Sequence, residues 1–410
     1  MPDFSTNERN VLLLTGVAHF ATHFFELMYP TLAVSVALEL KLPLPHVLGW
    51  SFLGYLLFGL GALPAGLLAD RLGSRPILLV GLAGMGVSAL AAAEADPGRS
   101  LALCLASLGL FASFSHPAGL SLISHTVAAR GRALGINGIC GSLGIALAPL
   151  LTAILVGRFG TRHAFHAAGL AMCAVVAALS FIRIEEGHGQ SPSPPPLPDA
   201  AAPGSRGAWL PFALLCVAAM LGGISYRGNT LVQPAYFAER VSALGFGAVT
   251  TLVYLLGIVG QYAGGLLADR YDLRRLYLGF HAASLPLLLL MSHLFGELLV
   301  ATAALFVFFS LGMQPIENSL FAHFSPPRWR ATGYGVKFVL TFGVGALAVQ
   351  LVQHVRMGGD LSVVFLYLGG VVALLVATCA LLVVASAGWD LRSVPAAGGK
   401  REVPVIEPAM

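Results

Sequence analysis

Residues 66–79 read GLLADRLGSRPILL, and residues 265–278 read GLLADRYDLRRLYL. Both copies set an Asp-Arg pair between long apolar runs, in a chain where 10% of residues are charged and 57% are hydrophobic. A soluble globular chain carries about 25% charged residues, and 410 residues of this composition cannot hide their apolar surface from water. The solvent over most of the chain must be lipid. Backbone groups in lipid have to be satisfied within each segment, so the chain reads as an all-α integral membrane protein.

A helical span needs about 20 mostly apolar residues. Such runs centre on residues 11–38, 46–68, 75–93, 100–124, 131–157 and 162–183, and resume at 207–236, 244–268, 274–293, 297–321, 329–354 and 360–387. The twelve runs fall six on each side of GHGQSPSPPPLPDAAAPGSRG (187–207), a Pro-, Gly- and Ser-rich stretch without apolar periodicity that reads as a solvated linker. The expected organisation is a six-helix unit over 1–183, a linker over 184–206, a second six-helix unit over 207–387 and a tail over 388–410. Orientation follows from lysine and arginine. With the N-terminus inside, fifteen of the 23 basic residues fall on the cytoplasmic side and six on the other, and only Arg227 and Lys337 lie within spans. Both termini and the linker are therefore expected in the cytoplasm. The N-terminal run is too long for a signal-peptide core and reads as an uncleaved first span. The five cysteines lie in apolar runs with no CxxC spacing, so they read as packing residues.

The duplication extends beyond one loop. SHPAGLSLISHTVAARGRALG (115–135) aligns without a gap to MQPIENSLFAHFSPPRWRATG (313–333), matching Pro117 with Pro315, His125 with His323 and Arg130 and Arg132 with Arg328 and Arg330. Two six-helix halves related as parallel repeats place a substrate site between them, near the membrane midplane. On these motifs the chain resembles the major facilitator superfamily. Its loop pattern between spans two and three, G-x-x-x-D-[RK]-x-G-[RK]-[RK], is met by Gly66, Asp70, Arg71, Gly73 and Arg75, with Ser74 departing at one basic position. The second copy keeps Gly265, Asp269, Arg270 and Arg274, with Asp272 in the place of the glycine. A carboxylate at a helix end can sit against the positive end of a neighbouring helix and bond nearby arginines. Asp70 and Asp269 are accordingly expected to act as cytoplasmic latches between the halves, the alternative being charges that only set topology.

The first half looks most like the fosmidomycin-resistance group, through AHFATHFFELMYP (18–30), SHPAGLSLIS (115–124) and RALGINGICGSLGIALAPLL (132–151). That resemblance implies a proton-coupled drug exporter working within one chain. His23 stands where the group usually carries Asp, Leu105 where many antiporters carry Arg, and Ala148 where a Gly usually precedes Pro149.

A charge inside the membrane is costly, so ionisable residues there are functional candidates. Span one offers His19, His23 and Glu26 at i, i+4 and i+7, on one helical face. Glu26 is the expected proton-coupling residue, with His19, His23 and Glu317 able to share the role. The same stripe of His, His and Glu also has the donor types of a zinc site, the other readings being a proton-handling and a structural one. No metal is expected, because the two histidines lack a visible third and fourth ligand elsewhere in the sequence. Aligning Pro30 with Pro234 puts Arg227 opposite His23, with Tyr226, Asn229 and Gln233 beside it. A buried arginine needs a carboxylate or an anionic substrate, and Glu26 or the substrate can be that partner. Gln314, Glu317 and Asn318 share one face of span ten, whose counterpart in span four carries His116. Lys337 is placed to pair with Glu317, and Asn137 lies at similar depth.

No Walker-type loop, GxSxG or extramembrane cluster of catalytic side chains is present, so no enzyme, cofactor or nucleic-acid partner is expected. The leading expectation is a secondary active transporter of the bacterial inner membrane, coupling protons to efflux of small organic molecules. The alternatives are a proton symporter or facilitator for a polar or anionic metabolite, and a non-transporting membrane sensor.

Overall fold

A computed structural model describes residues 4–186, 209–241, 245–324, 330–356 and 360–387. Residues 187–206 of the expected linker, the expected tail, and Arg328 lie outside the described residues.

Helix α1 (Thr6–Leu40) begins at a reciprocal cap: the Ser5 hydroxyl accepts from the Glu8 amide and the Glu8 carboxylate accepts from the Ser5 amide, satisfying two amides that a helix start leaves open. Helices α2 (Leu44–Gly49), α3 (Phe52–Leu60) and α4 (Ala62–Leu72) form the second span, bent by 45° at Gly61. Helix α5 (Ser74–Glu94) is the third span, α6 (Arg99–Ala112) with α7 (Ser115–Thr126) the fourth, and α8 (Arg130–Phe159) and α9 (Thr161–Ser180) the fifth and sixth. The second set is α10 (Trp209–Arg240), α11 (Phe246–Ala268), α12 (Leu273–Met291), α13 (Gly296–Phe324), the broken span from α14 (Arg330–Phe338) to α15 (Leu347–Arg356), and α16 (Ser362–Ala385). One π-helical turn, Val339–Gly343, interrupts that broken span.

All twelve apolar runs are thus helical, but they do not read alike as spans. Ten helices among the described residues are long and apolar enough to cross a membrane, and the bent second span makes an eleventh. Helix α12 falls short because Arg274, Arg275 and His281 dilute its 19 residues, yet it packs on α13 and α16 as a span does.

Helices α1 and α10 occupy the middle. The apolar window of α1 is 72% buried and that of α9 only 28%, which separates a central helix from a lipid-facing one. The first and last six spans meet along α1 with α10, α2 with α15, α3 with the π turn, and α8 with α11. Small residues permit the closest of these approaches. A Cβ on Gly59 of α3 would overlap the backbone of Gly343, so the crossing requires glycine there. Between α8 and α11, Pro149 cannot donate a backbone bond, and the next amide, Leu150, donates to Thr251 Oγ1 at 3.2 Å.

Candidate functional site: a buried ion-pair and histidine cluster between the central helices

The 3.6-residue period puts His19, His23 and Glu26 on the face of α1 that meets its neighbours. Arg227 Nη2 of α10 donates to Glu26 Oε1 at 2.6 Å, with side-chain exposures of 1% and 3%. Of the two partners considered for Arg227, Glu26 is the one in contact. His23 Nδ1 donates to Glu26 Oε2 at 2.5 Å, and Tyr55 Oη of α3 donates to the Glu26 carbonyl at 3.0 Å. The guanidinium lies 3.8 Å from the centre of the Tyr55 ring, a cation–π contact that helps compensate a charge held away from water. A cavity of about 30 Å³ beside Glu26 is lined by Thr22, Tyr29, Ser51 and Tyr55, room for a water molecule.

Polar groups around this pair remain unmatched. Arg227 Nε and Nη1, Tyr226 Oη, Tyr254 Oη, Asn229 Oδ1 and Gln233 Nε2 are buried with no hydrogen-bond partner among the described residues. Asn229 reaches Gln233 through its own amide at 3.4 Å.

The histidines form a cluster that the linear sequence does not display. His19 Nδ1 donates to the Asn137 carbonyl of α8 at 2.7 Å, whereas the Asn137 side-chain oxygen has no hydrogen-bond partner among the described residues. His23 Nε2 and His19 Nε2 face each other at 3.2 Å. His116 of α7 packs against both rings, with centroids at 5.0 and 5.3 Å, so ligand nitrogens from three histidines lie within 4.8 Å of one another. The expectation that the α1 pair lacks a third ligand is corrected here. Packing of α7 against α1 supplies it, a contact no helical spacing announces.

A second ion pair lies within the last six spans. Lys337 Nζ contacts Glu317 Oε1 at 2.9 Å, Tyr277 Oη donates to Glu317 Oε2 at 2.6 Å, and Lys337 also donates to Asn318 Oδ1. Gln314 instead accepts from Gln261 of α11 at 2.8 Å, and Gln261 accepts from Ser142 of α8. Sequence reasoning missed Tyr55, Tyr254, Gln261 and Tyr277. Only Gln261, a polar side chain inside an apolar run, carried a usable signal.

The repeated loops place the expected latch residues at the surface. Asp70 and Asp269 are exposed, as are Arg71 and Arg270, and the four side chains make no hydrogen bond or ion pair with a described residue. Other carboxylates hold the helix starts. Glu186, just after α9, accepts from the Ser74 and Arg75 amides at 2.9 and 2.8 Å, and Asp272 accepts from the Arg274 and Arg275 amides at 3.0 and 3.1 Å. Arg75 Nη2 donates to the Ser180 and Ile182 carbonyls at 2.8 and 3.0 Å; Arg274 donates to the Ser386 carbonyl. Each arginine fastens the third span of its set to the end of the sixth. Gly73 takes φ 92°, a turn that favours glycine. Gly66 faces Pro117 of α7, and Gly265 faces open space.

Among the described residues, twelve helical segments in two sets surround a buried polar centre, the architecture of a polytopic membrane transporter. The family model of the Major Facilitator Superfamily matches residues 11–348, and the chain belongs to that family. A bacterial homolog of the human lysosomal transporter Spinster, inward-facing and occupied, superposes with a TM-score of 0.69 at 17% identity, covering 94% of this chain and 96% of that one. A mutant of the peptide transporter POT in complex with alafosfalin gives 0.72 at 16% identity, with coverages of 92% and 94%. A mutant of the nucleoside transporter NupG gives 0.70 at 16%, with coverages of 91% and 99%. These likenesses speak for the fold alone. The multidrug efflux pump LfrA of Mycolicibacterium smegmatis is 38% identical over 97 residues, 23% of this chain and 19% of that protein; the match thus spans about a fifth of that relative's length.

Proposed function

We propose that the chain is a proton-coupled exporter of small organic molecules, working by alternating access as a monomer in the bacterial inner membrane with both termini in the cytoplasm. The observation that carries this reading is the buried Glu26–Arg227 pair, which joins the central helices of the two halves. For the halves to part, the pair must separate. Leaving one member buried and uncompensated costs about 3–5 kcal/mol. A proton on Glu26 removes the carboxylate charge and lets α1 move from α10. A substrate that engages Arg227 competes with Glu26 for the same cation, so proton and substrate bind in alternation. The resemblance of spans one, four and five to fosmidomycin-resistance exporters supports the direction, as does the local likeness to a multidrug efflux pump.

The test uses everted membrane vesicles energised to an acid interior. Lipophilic drugs and organic anions are added in turn, and discharge of the pH gradient is recorded for wild type and Glu26→Gln, with folded protein quantified by gel filtration. Discharge by particular compounds that is absent in the variant is the expected result. No discharge by any compound from folded wild-type protein counts against the reading. A second reading, uptake of an anionic metabolite, draws on the unpartnered Arg227 Nε and Nη1 with Tyr226 and Tyr254 beside them. Its mark is accumulation of labelled organic anion in right-side-out vesicles.

A further inference from the structure

We propose that His19, His23 and His116 form a binding site for a late first-row transition-metal dication, with Zn²⁺ the representative ion. The hydrogen bonds already made by two of these rings fix their tautomers. The Asn137 carbonyl can only accept, so His19 Nδ1 carries a proton. The Glu26 carboxylate, paired with Arg227, accepts from His23 Nδ1. In the neutral rings both Nε2 atoms then present lone pairs to each other across 3.2 Å, an arrangement that calls for a cation between them.

The spacing of the His19 and His23 nitrogens suits one. Zn–N bonds of about 2.0–2.1 Å at tetrahedral angles put two nitrogens about 3.3 Å apart. Histidines at i and i+4 on one helix are a recurrent zinc pair. His116 supplies the third nitrogen, and its buried Nε2 has no hydrogen-bond partner among the described residues. The bond from His23 to Glu26 and that from His19 to a backbone carbonyl are the outer contacts by which metal-binding imidazoles are oriented and made more basic. Imidazole donors select Zn, Cu, Ni and Co over Mg and Ca. The charged groups nearby are Glu26, Arg227 and Lys337, and Glu26 lies against a ligand. On the other side, Phe338 and Phe342 from the last six spans stack on His116 with centroids at 5.1 and 5.6 Å. The ligands thus belong to one half and the roof to the other, so ions exchange only when the halves part.

The competing occupant is a proton on His23 Nε2, donated to His19. The test separates the two on purified, untagged full-length protein stripped with chelator, with His163→Ala and His166→Ala in all samples to remove the imidazole pair near Glu94. Co²⁺ is titrated while the visible d–d bands are recorded, and zinc retained after gel filtration is measured by mass spectrometry. The expected result is one Co²⁺ per chain with the intense bands of four- or five-coordinate cobalt, displaced by Zn²⁺ and not by Mg²⁺. These bands are lost in His116→Ala and in His116→Phe, which keeps the stack on Phe338 and Phe342 if the alanine variant misfolds. Glu26→Gln keeps the bands while weakening affinity about 10–100-fold. Absence of a saturable band in folded wild type, or its persistence in either His116 variant, overturns the proposal. Because metal is read on purified protein without a gradient, its failure leaves the proton-coupled exchange test untouched.

Discussion

Neutralising one member of the central ion pair should destabilise the protein more than neutralising both. Glu26 and Arg227 meet at 2.6 Å with side-chain exposures of 3% and 1%. Glu26→Gln leaves a guanidinium whose Nε and Nη1 already lack hydrogen-bond partners among the described residues, and losing one partner of a buried pair costs about 3–5 kcal/mol. Arg227→Met leaves a carboxylate that still accepts from His23, so its cost falls near the lower end, about 3 kcal/mol. It also removes the contact with Tyr55, worth about 1–2 kcal/mol in a desolvated setting. The double variant Glu26→Gln/Arg227→Met has no buried charge to compensate, and replacing a buried pair by neutral groups is often nearly neutral. Its total loss should therefore be about 1–2 kcal/mol, and the cycle should give a coupling of about 4 kcal/mol or more between the two sites. Reversible unfolding in mixed micelles of increasing SDS content, followed by tryptophan fluorescence, measures all four proteins. If the double variant loses the sum of the single losses, the pair is not an energetic unit and the coupling argument built on it fails.

Two further expectations concern the elements that hold the bundle together. Asp272→Ala removes the cap of α12 and the ion pair with Arg274 at 2.6 Å, costing about 1 kcal/mol for the cap alone. Burial tends to raise the Asp272 carboxyl, but bonds from Arg274 and the Arg275 amide outweigh it and hold the group below its ordinary 3.8. A depressed carboxyl adds stability above its unfolded value that is lost as pH falls through the folded one. The difference in SDS midpoint between wild type and Asp272→Ala should thus be constant from about pH 8 to 5 and shrink below about pH 4, and a difference that instead grows on acidification would contradict this account. Gly59→Val places a branched side chain against the Gly343 backbone and should part α3 from the π turn. Spin labels on α2 and α15 in a cysteine-free background should then report a longer distance than in wild type, and an unchanged distribution would show that the crossing tolerates the side chain.

The sequence by itself determined the class of protein. Apolar runs of span length, the twin GLLADR loops and the gapless match of 115–135 to 313–333 established a membrane protein built from repeats, because lipid admits few ways to satisfy a backbone and a repeated sequence repeats its helices. Helical periodicity also put His19, His23 and Glu26 on one face, and the rarity of buried charge singled out Arg227, Glu317 and Lys337. What periodicity leaves open is how each helix is rotated and which neighbour it meets. Between lipid-embedded helices, apolar burial favours no particular partner, so close packing of small residues and interhelical hydrogen bonds decide. Only the tertiary structure, accordingly, chose Glu26 as the partner of Arg227, brought His116 to the α1 histidines and set Tyr55 under the guanidinium. The same limit explains the loops. Asp70 and Asp269 were conspicuous as charges, but which carboxylate reaches a helix start depends on which segment the fold brings beside it, for α5 the one that follows α9. That geometry gave the amides to Glu186 and Asp272.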